Sequence, residues 1–269
     1  MVLVEKEIFP YLPSIFEFLF VSLSKKYIVD FDDAVFLNYS GSFFLRNKYN
    51  YLLANSSCVF VGNNYLREFA ESCGAKNTKY LPTVIDISRY HTDNSPYQKG
   101  LSKKITIGWI GSPSTTKYLE LVREAIAELS VSFDIKLCTV GASFFSDDRF
   151  IVEQYPWNED TEVSFINTFD IGLMPLESNE WEKGKCGYKL IQYMACGKPV
   201  IASAVGVNVD IVLPTVGFLC NDKSDWVLNL TKLIEDDMLR YSMGANSRFL
   251  VENFYCTDVS YKTLISEIN

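Results

Sequence analysis

The chain has 269 residues, room for one large domain or two of about 100–150 residues. It carries 33 Asp and Glu against 25 Lys and Arg, a formal net charge of −8, and so lacks the basic face that nucleic-acid binding requires. One His argues against a multi-histidine metal site. Seven cysteines with no C-x-x-C pair read as reduced thiols of a cytosolic protein, not as a disulfide framework or zinc knuckle.

The chain opens in a strand, Met1–Glu5, followed by a helix over Ser14–Leu23. The apolar stretch Ile8–Leu23 carries Pro10, Pro13 and Glu17, which fits neither a signal peptide nor a membrane span. Strand Tyr27–Phe31 precedes a helix over Phe43–Ala54, where Leu45, Tyr49, Leu52 and Leu53 recur at helical spacing. Strand Cys58–Val61 leads into a helix that begins at Asn63 and stops before Gly74, and a short strand, Lys79–Leu81, ends at Pro82. Residues 91–103 are the one polar stretch rich in Pro, Gly and Ser, and a domain boundary is expected there. His91 lies in this stretch and reads as a surface residue.

After the boundary the alternation is cleaner. Strand Ile105–Ile110, a helix over Ser114–Leu129 and strand Ile135–Val140 come first. A strand near Phe150–Val152, a helix near Glu159–Asn167 and strand Asp170–Met174 follow. A helix over Tyr188–Cys196, strand Pro199–Ala202, a strand near Gly217–Leu219 and three helices complete the chain. Strands separated by helices imply right-handed βαβ units and parallel sheets, whose ligands bind at the carboxyl ends of strands.

Three constellations lie in such positions. In Gly108–Lys117 an apolar strand runs through Gly111 and Ser112 into a helix, with Lys117 in its first turn. That arrangement suits a phosphate, or is a plain strand-to-helix turn capped by Ser112. It is neither a Walker loop nor G-x-G-x-x-G. In Lys183–Ser203, lysines 183, 185 and 189 with Gly184 and Gly187 surround the start of a helix, the composition of an anion site. Tyr188 and Gln192, four apart, share one face of that helix. Asp30, Asp32 and Asp33 follow the second strand. They suit a metal, a base or sugar hydroxyls, or merely cap a turn. Trp157 either stacks on a base or packs on the sheet.

Residues 184–203 resemble the donor-site segment of retaining GT-B glycosyltransferases of family four, the group that builds bacterial polysaccharides including O-antigens. Leu81–Tyr90, Gly108–Lys117, Asp170–Leu176 and Ala204–Leu219 are similar to other segments of that family, in the same order. The resemblance implies an α/β, GT-B-like fold of two Rossmann-like domains with parallel sheets, the N-terminal one incomplete. It would divide the chain into 1–95 (acceptor side), 96–250 (nucleotide-sugar binding) and 251–269, a helix packing back toward the N-terminal domain.

The implied function is transfer of a sugar, with retention and without a divalent metal or other cofactor, from a nucleotide diphosphate sugar to a glycan or lipid-linked acceptor. It would take place in the cytoplasm, at the inner face of the cell membrane, with peripheral membrane contact. The implied donor-binding residues are Gly111, Ser112, Lys117, Trp157, Lys185, Gly187, Tyr188, Lys189 and Gln192. Where the family has an Arg in its phosphate loop this chain has Ser112. Where it has two Glu separated by seven residues this chain has Gly184 and Gln192. The amide of Gln192 can still bond ribose hydroxyls, whereas Gly184 cannot replace a carboxylate. Asp32 and Asp33 fall where many relatives carry His-Asp, and are the implied catalytic pair.

Nine Phe and five Tyr in the first 60 residues read as core, with lipid or sugar contact as the alternative. About 95 residues before the linker are few for a Rossmann domain. The expectation is an N-terminal domain that is shortened, or completed by homo-oligomerisation. A nucleotide-sugar-binding module without transfer activity is the second reading. A GT-B epimerase is disfavoured by the single His and by the lack of a second acidic cluster.

Overall fold

The structure, a computed structural model, describes residues 1–24, 26–92 and 104–268. The expected boundary at residues 95 and 96 lies outside them. In chain order the first elements are β1 (Val2–Glu5), α1 (Ile15–Leu23), β2 (Tyr27–Phe31), α2 (Lys48–Ala54), β3 (Cys58–Val61), α3 (Asn64–Ser72) and β4 (Thr78–Tyr80). β5 (Ile105–Ile110), α4 (Glu120–Ser130), β6 (Ile135–Val140), β7 (Ile151–Tyr155), α5 (Glu162–Thr168) and β8 (Ile171–Met174) follow. Next come α6 (Glu180–Lys183), α7 (Tyr188–Ala195), β9 (Val200–Ser203), α8 (Asn208–Ile211) and β10 (Gly217–Cys220). The last are α9 (Lys223–Glu235), α10 (Asp237–Phe254) and α11 (Thr257–Ile268).

Local chemistry sets many of the boundaries. Asn63, Asp222 and Asp236 each accept a bond from a first-turn backbone N–H, at 2.9, 3.0 and 2.8 Å. Such a cap is worth about 1 kcal/mol. Gly74 leaves α3 at φ +92°. Three helices start later than the periodicity predicts. Asn47 is not helical, so Phe43–Asn47 forms turns and α2 begins at Lys48. Pro113–Leu119 is a 3-10 helix, because the Thr115 hydroxyl donates to the Ser112 carbonyl and competes with the α ladder. Asn158 draws Asp160 and Thr161 into a turn, and α5 begins at Glu162.

The chain forms two compact units. The first comprises Met1–Thr83, Ser178–Cys186 and Asp258–Asn269, and the second Val84–Glu177 and Gly187–Thr257. In the first unit four parallel strands stand in the order β1-β2-β3-β4. β2 and β3 are apolar on both faces. Tyr27, Val29, Phe31, Val59 and Val61 pack with Leu52, Leu53 and Leu66 on one side, and Ile28, Cys58 and Phe60 pack with Leu264 on the other. This continuous burial is what a parallel sheet covered on both faces requires.

The second unit has six parallel strands in the order β10-β9-β8-β5-β6-β7. Ile107 and Trp109 enter one core layer and Ile110 the other, as the two-residue period demands. The chain leaves β5 toward β6 on one side and later fills β8 on the other. The carboxyl end of β5 is therefore a topological switch point, where open α/β sheets bind ligands. β5 and β8 pair at Ile107↔Ile171 and Gly108↔Gly172. Beyond that pairing the buried phenol of Tyr193 bridges them, accepting from the Ile110 N–H at 2.8 Å and donating to the Leu173 carbonyl at 3.2 Å.

Candidate functional site

The Tyr193 bridge fixes α7 against the ends of β5 and β8. Lys189, one turn earlier, lies on the same helix face. Its ammonium donates to the Thr115 hydroxyl at 3.3 Å and sits 4.5 Å from the centroid of the Trp109 ring. Gly111 closes this cluster. A Cβ there would stand 2.6 Å from the Lys189 Nζ and 2.6 Å from the Trp109 ring, so only glycine fits. α7 itself starts from Gly187 at φ +76°. The Ser112 and Ser114 hydroxyls lie 3.0 Å apart on the exposed side of the loop. A lysine, a close-packed glycine and three hydroxyl groups thus meet at the switch point, beside a helix start, which is the composition that attracts a phosphate. Lys117 is exposed, with its ammonium 4.9 Å over the Tyr118 ring. The lysine packed on Gly111 is Lys189.

Further along α7, Gln192 is buried, while Tyr188 is half exposed. The Gln192 amide donates to the Tyr90 hydroxyl at 3.1 Å and to Glu162 Oε1 at 3.0 Å. The Tyr90 hydroxyl donates to the same Oε1 at 2.7 Å. Glu162 Oε2 accepts from the Trp157 indole N–H at 2.8 Å. Burial holds the Tyr90 phenol far above its ordinary range, so it stays a neutral donor. Trp157 also borders the Gly111 loop. A Cβ on Gly141 would meet the Gly111 carbonyl oxygen at 2.3 Å and the Trp157 Cβ at 2.9 Å.

The run 183–203, read in sequence as one constellation, is divided between the units after Cys186. In the first unit the Lys185 ammonium pairs with Asp33 at 3.2 Å and lies 5.1 Å from the Trp181 ring. Asp32 pairs with Lys6 at 3.2 Å. The Cys186 thiol donates to the Asp32 carbonyl at 2.9 Å, and the Asn63 amide donates to the carbonyls of Lys183 and Lys185. Gly184 packs on Ala34. A Cβ at 184 would stand 2.4 Å from the Ala34 Cβ, so a glutamate has no room at this position. Asp30 is raised to about 6, by burial first and then by the charges of Asp32 and Glu5. The aspartates are held by lysines rather than gathered on a common centre. Among the described residues no group of three or more His, Cys, Asp or Glu is placed to hold a metal ion.

Trp109, Thr115, Tyr90 and Glu162 belong to these clusters without a local sequence signal. Glu162 reads as one more solvated acid in the run Glu159-Asp160-Thr161-Glu162, and its partners are 72 and 30 residues away.

Comparison with known proteins bears on the fold and on likeness to a family. Residues 104–236 match the family model for glycosyl transferases of group 1. The capsular polysaccharide biosynthesis glycosyltransferase CapM of Staphylococcus aureus is 26% identical over 204 residues, covering 69% of this chain. The chain spans about half, 52%, of that curated relative. HepE of Anabaena, solved in complex with UDP, superposes with a TM-score of 0.76 at 17% identity, over 95% of this chain and 74% of that one. Sucrose-phosphate synthase of Thermosynechococcus elongatus gives a TM-score of 0.73 at 17% identity, over 94% and 71%. Residues 104–236 are thus similar to group 1 glycosyl transferases, and the chain as a whole has the GT-B fold of two Rossmann-like units.

Proposed function

We propose that this chain transfers a sugar, with retention, from a nucleotide diphosphate sugar to a glycan or lipid-linked acceptor in polysaccharide synthesis. The observation that carries the reading is Lys189, held against Gly111 and Thr115 at the switch point of the second unit, within the residues similar to group 1 glycosyl transferases. A cation and hydroxyl groups at that place suit a diphosphate. The negative charge that gathers on a departing diphosphate is stabilised by the same groups, which lowers the barrier to transfer. HepE, with the same fold, was solved with UDP and with UDP-glucose, which supports a uridine nucleotide as the first donor to try.

In this reading Gly111, Ser112, Lys117, Trp157, Gly187, Tyr188, Lys189 and Gln192 bind the donor. Asp32 and Asp33 orient a sugar hydroxyl, and Lys185 sets the charge of Asp33. Transfer needs no divalent metal, and the protein works in the cytoplasm at a membrane surface. Among the described residues no helix is long and apolar enough to cross a membrane.

The test is titration of the chain with UDP, GDP and TDP and their sugars, then turnover with membrane-extracted acceptors in the presence of EDTA. Turnover with an axial or equatorial anomeric bond matching the donor supports the proposal. Binding without turnover leaves the nucleotide-sugar-binding module as the function. No binding of any nucleotide overturns both.

A further inference from the structure

Helix α1 of the first unit is turned inside out. By helical spacing its positions 15, 16, 18, 19, 22 and 23 fall on one side, and 17, 20 and 21 on the other. The first side faces solvent. It carries Ile15, Phe16, Phe18, Leu19 and Leu23, with Ser22 as its polar residue, and Leu23 is 86% exposed. The inward side carries Glu17, the one charged residue of the helix, beside Phe20 and Val21, which pack on the core. A surface helix ordinarily shows the reverse arrangement.

Lys48 is the cause. It is fully buried, donates to the carbonyls of Phe9 and Leu12, and requires a carboxylate beside it. Glu17 supplies that carboxylate at 2.7 Å, which fixes the rotation of α1 with its apolar residues outward.

The outward face continues onto α2, where Phe18 meets the half-exposed Tyr51 edge-on, with ring centroids 5.5 Å apart. The turn leading to Lys48 adds Phe43 and Phe44, 74% and 78% exposed. Single exposed apolar residues are ordinary, whereas a face of this kind marks a contact. The charges around it have one sign. In residues 8–24 and 34–57 the only acid is the buried Glu17. Arg46 is exposed, with its guanidinium 4.9 Å from the centroid of the Phe43 ring, and the exposed Lys26 follows α1. This occurs in a chain whose net charge is −8.

We propose, resting on the membrane-surface reading above, that the outer face of α1, with Tyr51 and the Phe43–Phe44 turn, docks on a bilayer of anionic lipids. The apolar side chains enter the boundary between headgroups and acyl chains, while Lys26 and Arg46 stay among the headgroup phosphates. The lack of exposed acids here lets an acidic protein approach a negative surface in one orientation. A second copy of the chain is a poorer partner for this face, since it presents the same basic residues and no acid to answer them.

The experiment is sedimentation of the full chain with vesicles of phosphatidylcholine alone and of phosphatidylcholine and phosphatidylglycerol in equal parts. Binding should be about tenfold tighter to the anionic vesicles and should weaken as salt is raised. Leu19→Gln/Leu23→Gln should keep the wild-type urea midpoint, because both side chains already lie in water, and should bind at least about tenfold more weakly. Arg46→Gln should lose about fivefold on the anionic vesicles and little on the neutral ones. In Leu23→Trp, acyl chains carrying bromine should quench the fluorescence more than in wild type. Vesicle binding that is unchanged in a folded Leu19→Gln/Leu23→Gln protein overturns this face and leaves the membrane-surface reading standing. A chain that binds neither vesicle removes both. A wild-type dimer in analytical ultracentrifugation that dissociates in Leu19→Gln/Leu23→Gln assigns the face to a second copy and overturns the proposal.

Discussion

Glu17 and Lys48 face each other at 2.7 Å in the first unit, and neither side chain reaches solvent. Lys48 also donates to the carbonyls of Phe9 and Leu12, pairs with Glu7 at 3.4 Å and lies 5.5 Å from the Tyr39 ring. It clamps a loop in which Lys6 and Tyr11 hold left-handed backbone angles, φ +58° and +60°. Removing one member of a buried pair strands the other. Lys48→Met should destabilise the protein by about 3–5 kcal/mol. Glu17→Leu/Lys48→Met should recover part of that loss, since no fully buried carboxylate is then left without its lysine, although the loop carbonyls and the Glu7 carboxylate still lose theirs. Urea unfolding of wild type, Lys48→Met, Glu17→Leu and the double variant measures it. A double variant as unstable as the sum of its singles would show that the pair is not coupled.

Asp30 gives the first unit a pH dependence of known sign. Burial, with Asp32 and Glu5 nearby, raises its carboxyl to about 6. Between about pH 4 and 6 the unfolded chain has already lost the proton that the folded chain keeps. Stability therefore falls as pH rises through that window, and stays lower above it. Asp30→Asn should add about 1–3 kcal/mol to the unfolding free energy at pH 8 and almost nothing at pH 4. An equal gain at both pH values would place its origin in packing rather than titration.

Much of the second unit is legible in sequence because its information is local. Strands such as Ile105–Ile110 are short apolar runs bounded by turn residues, and Gly111 and Gly187 stand where close approach or a positive φ requires them. The clusters are less legible, because their partners are distant in the chain. Lys48 looks like an ordinary helix lysine until Glu17 and the Phe9 carbonyl are brought to it. Glu162 looks solvated until Tyr90 and Gln192 arrive from 72 and 30 residues away. The resemblance pointed to residue 184 as an empty place in a carboxylate pair. The contact of Gly184 with Ala34 gives a steric reason for the glycine. That Lys185 and Lys189, four residues apart, fold into different units is a property of the long-range contacts and has no local signature.

Cys186 should be inert. Its thiol is pushed up to about 12, by burial first and then by the charges of Asp32 and Asp33, and it donates to the Asp32 carbonyl. The thiolate is the reactive form, so at pH 8 its fraction is lower by roughly three orders of magnitude than for a free cysteine. Iodoacetamide labelling followed by peptide mapping should leave Cys186 unmodified in the native protein and label it fully in urea. Rapid native labelling would mean that this thiol is ionised or that the segment opens readily.

The contact between Lys189 and Gly111 supplies the sharpest test of the phosphate site. Lys189→Ala removes the cation and should weaken binding of a nucleoside diphosphate by about tenfold to a hundredfold, the scale of a charge-assisted hydrogen bond. Gly111→Ala keeps the cation but puts a methyl group 2.6 Å from its present position and from the Trp109 ring, so the ammonium must move. Affinity should fall in Gly111→Ala as well. The double variant should lose little more than Lys189→Ala alone, because the methyl group acts by displacing that lysine. Lys117→Ala, whose side chain is exposed over Tyr118, should have the smaller effect of the two lysine variants. Calorimetry with UDP measures all four proteins. Additive losses would show that Gly111 acts through the Trp109 ring or the backbone approach to the phosphate and not through Lys189. A larger loss for Lys117 would move the phosphate to the exposed end of the 3-10 helix Pro113–Leu119.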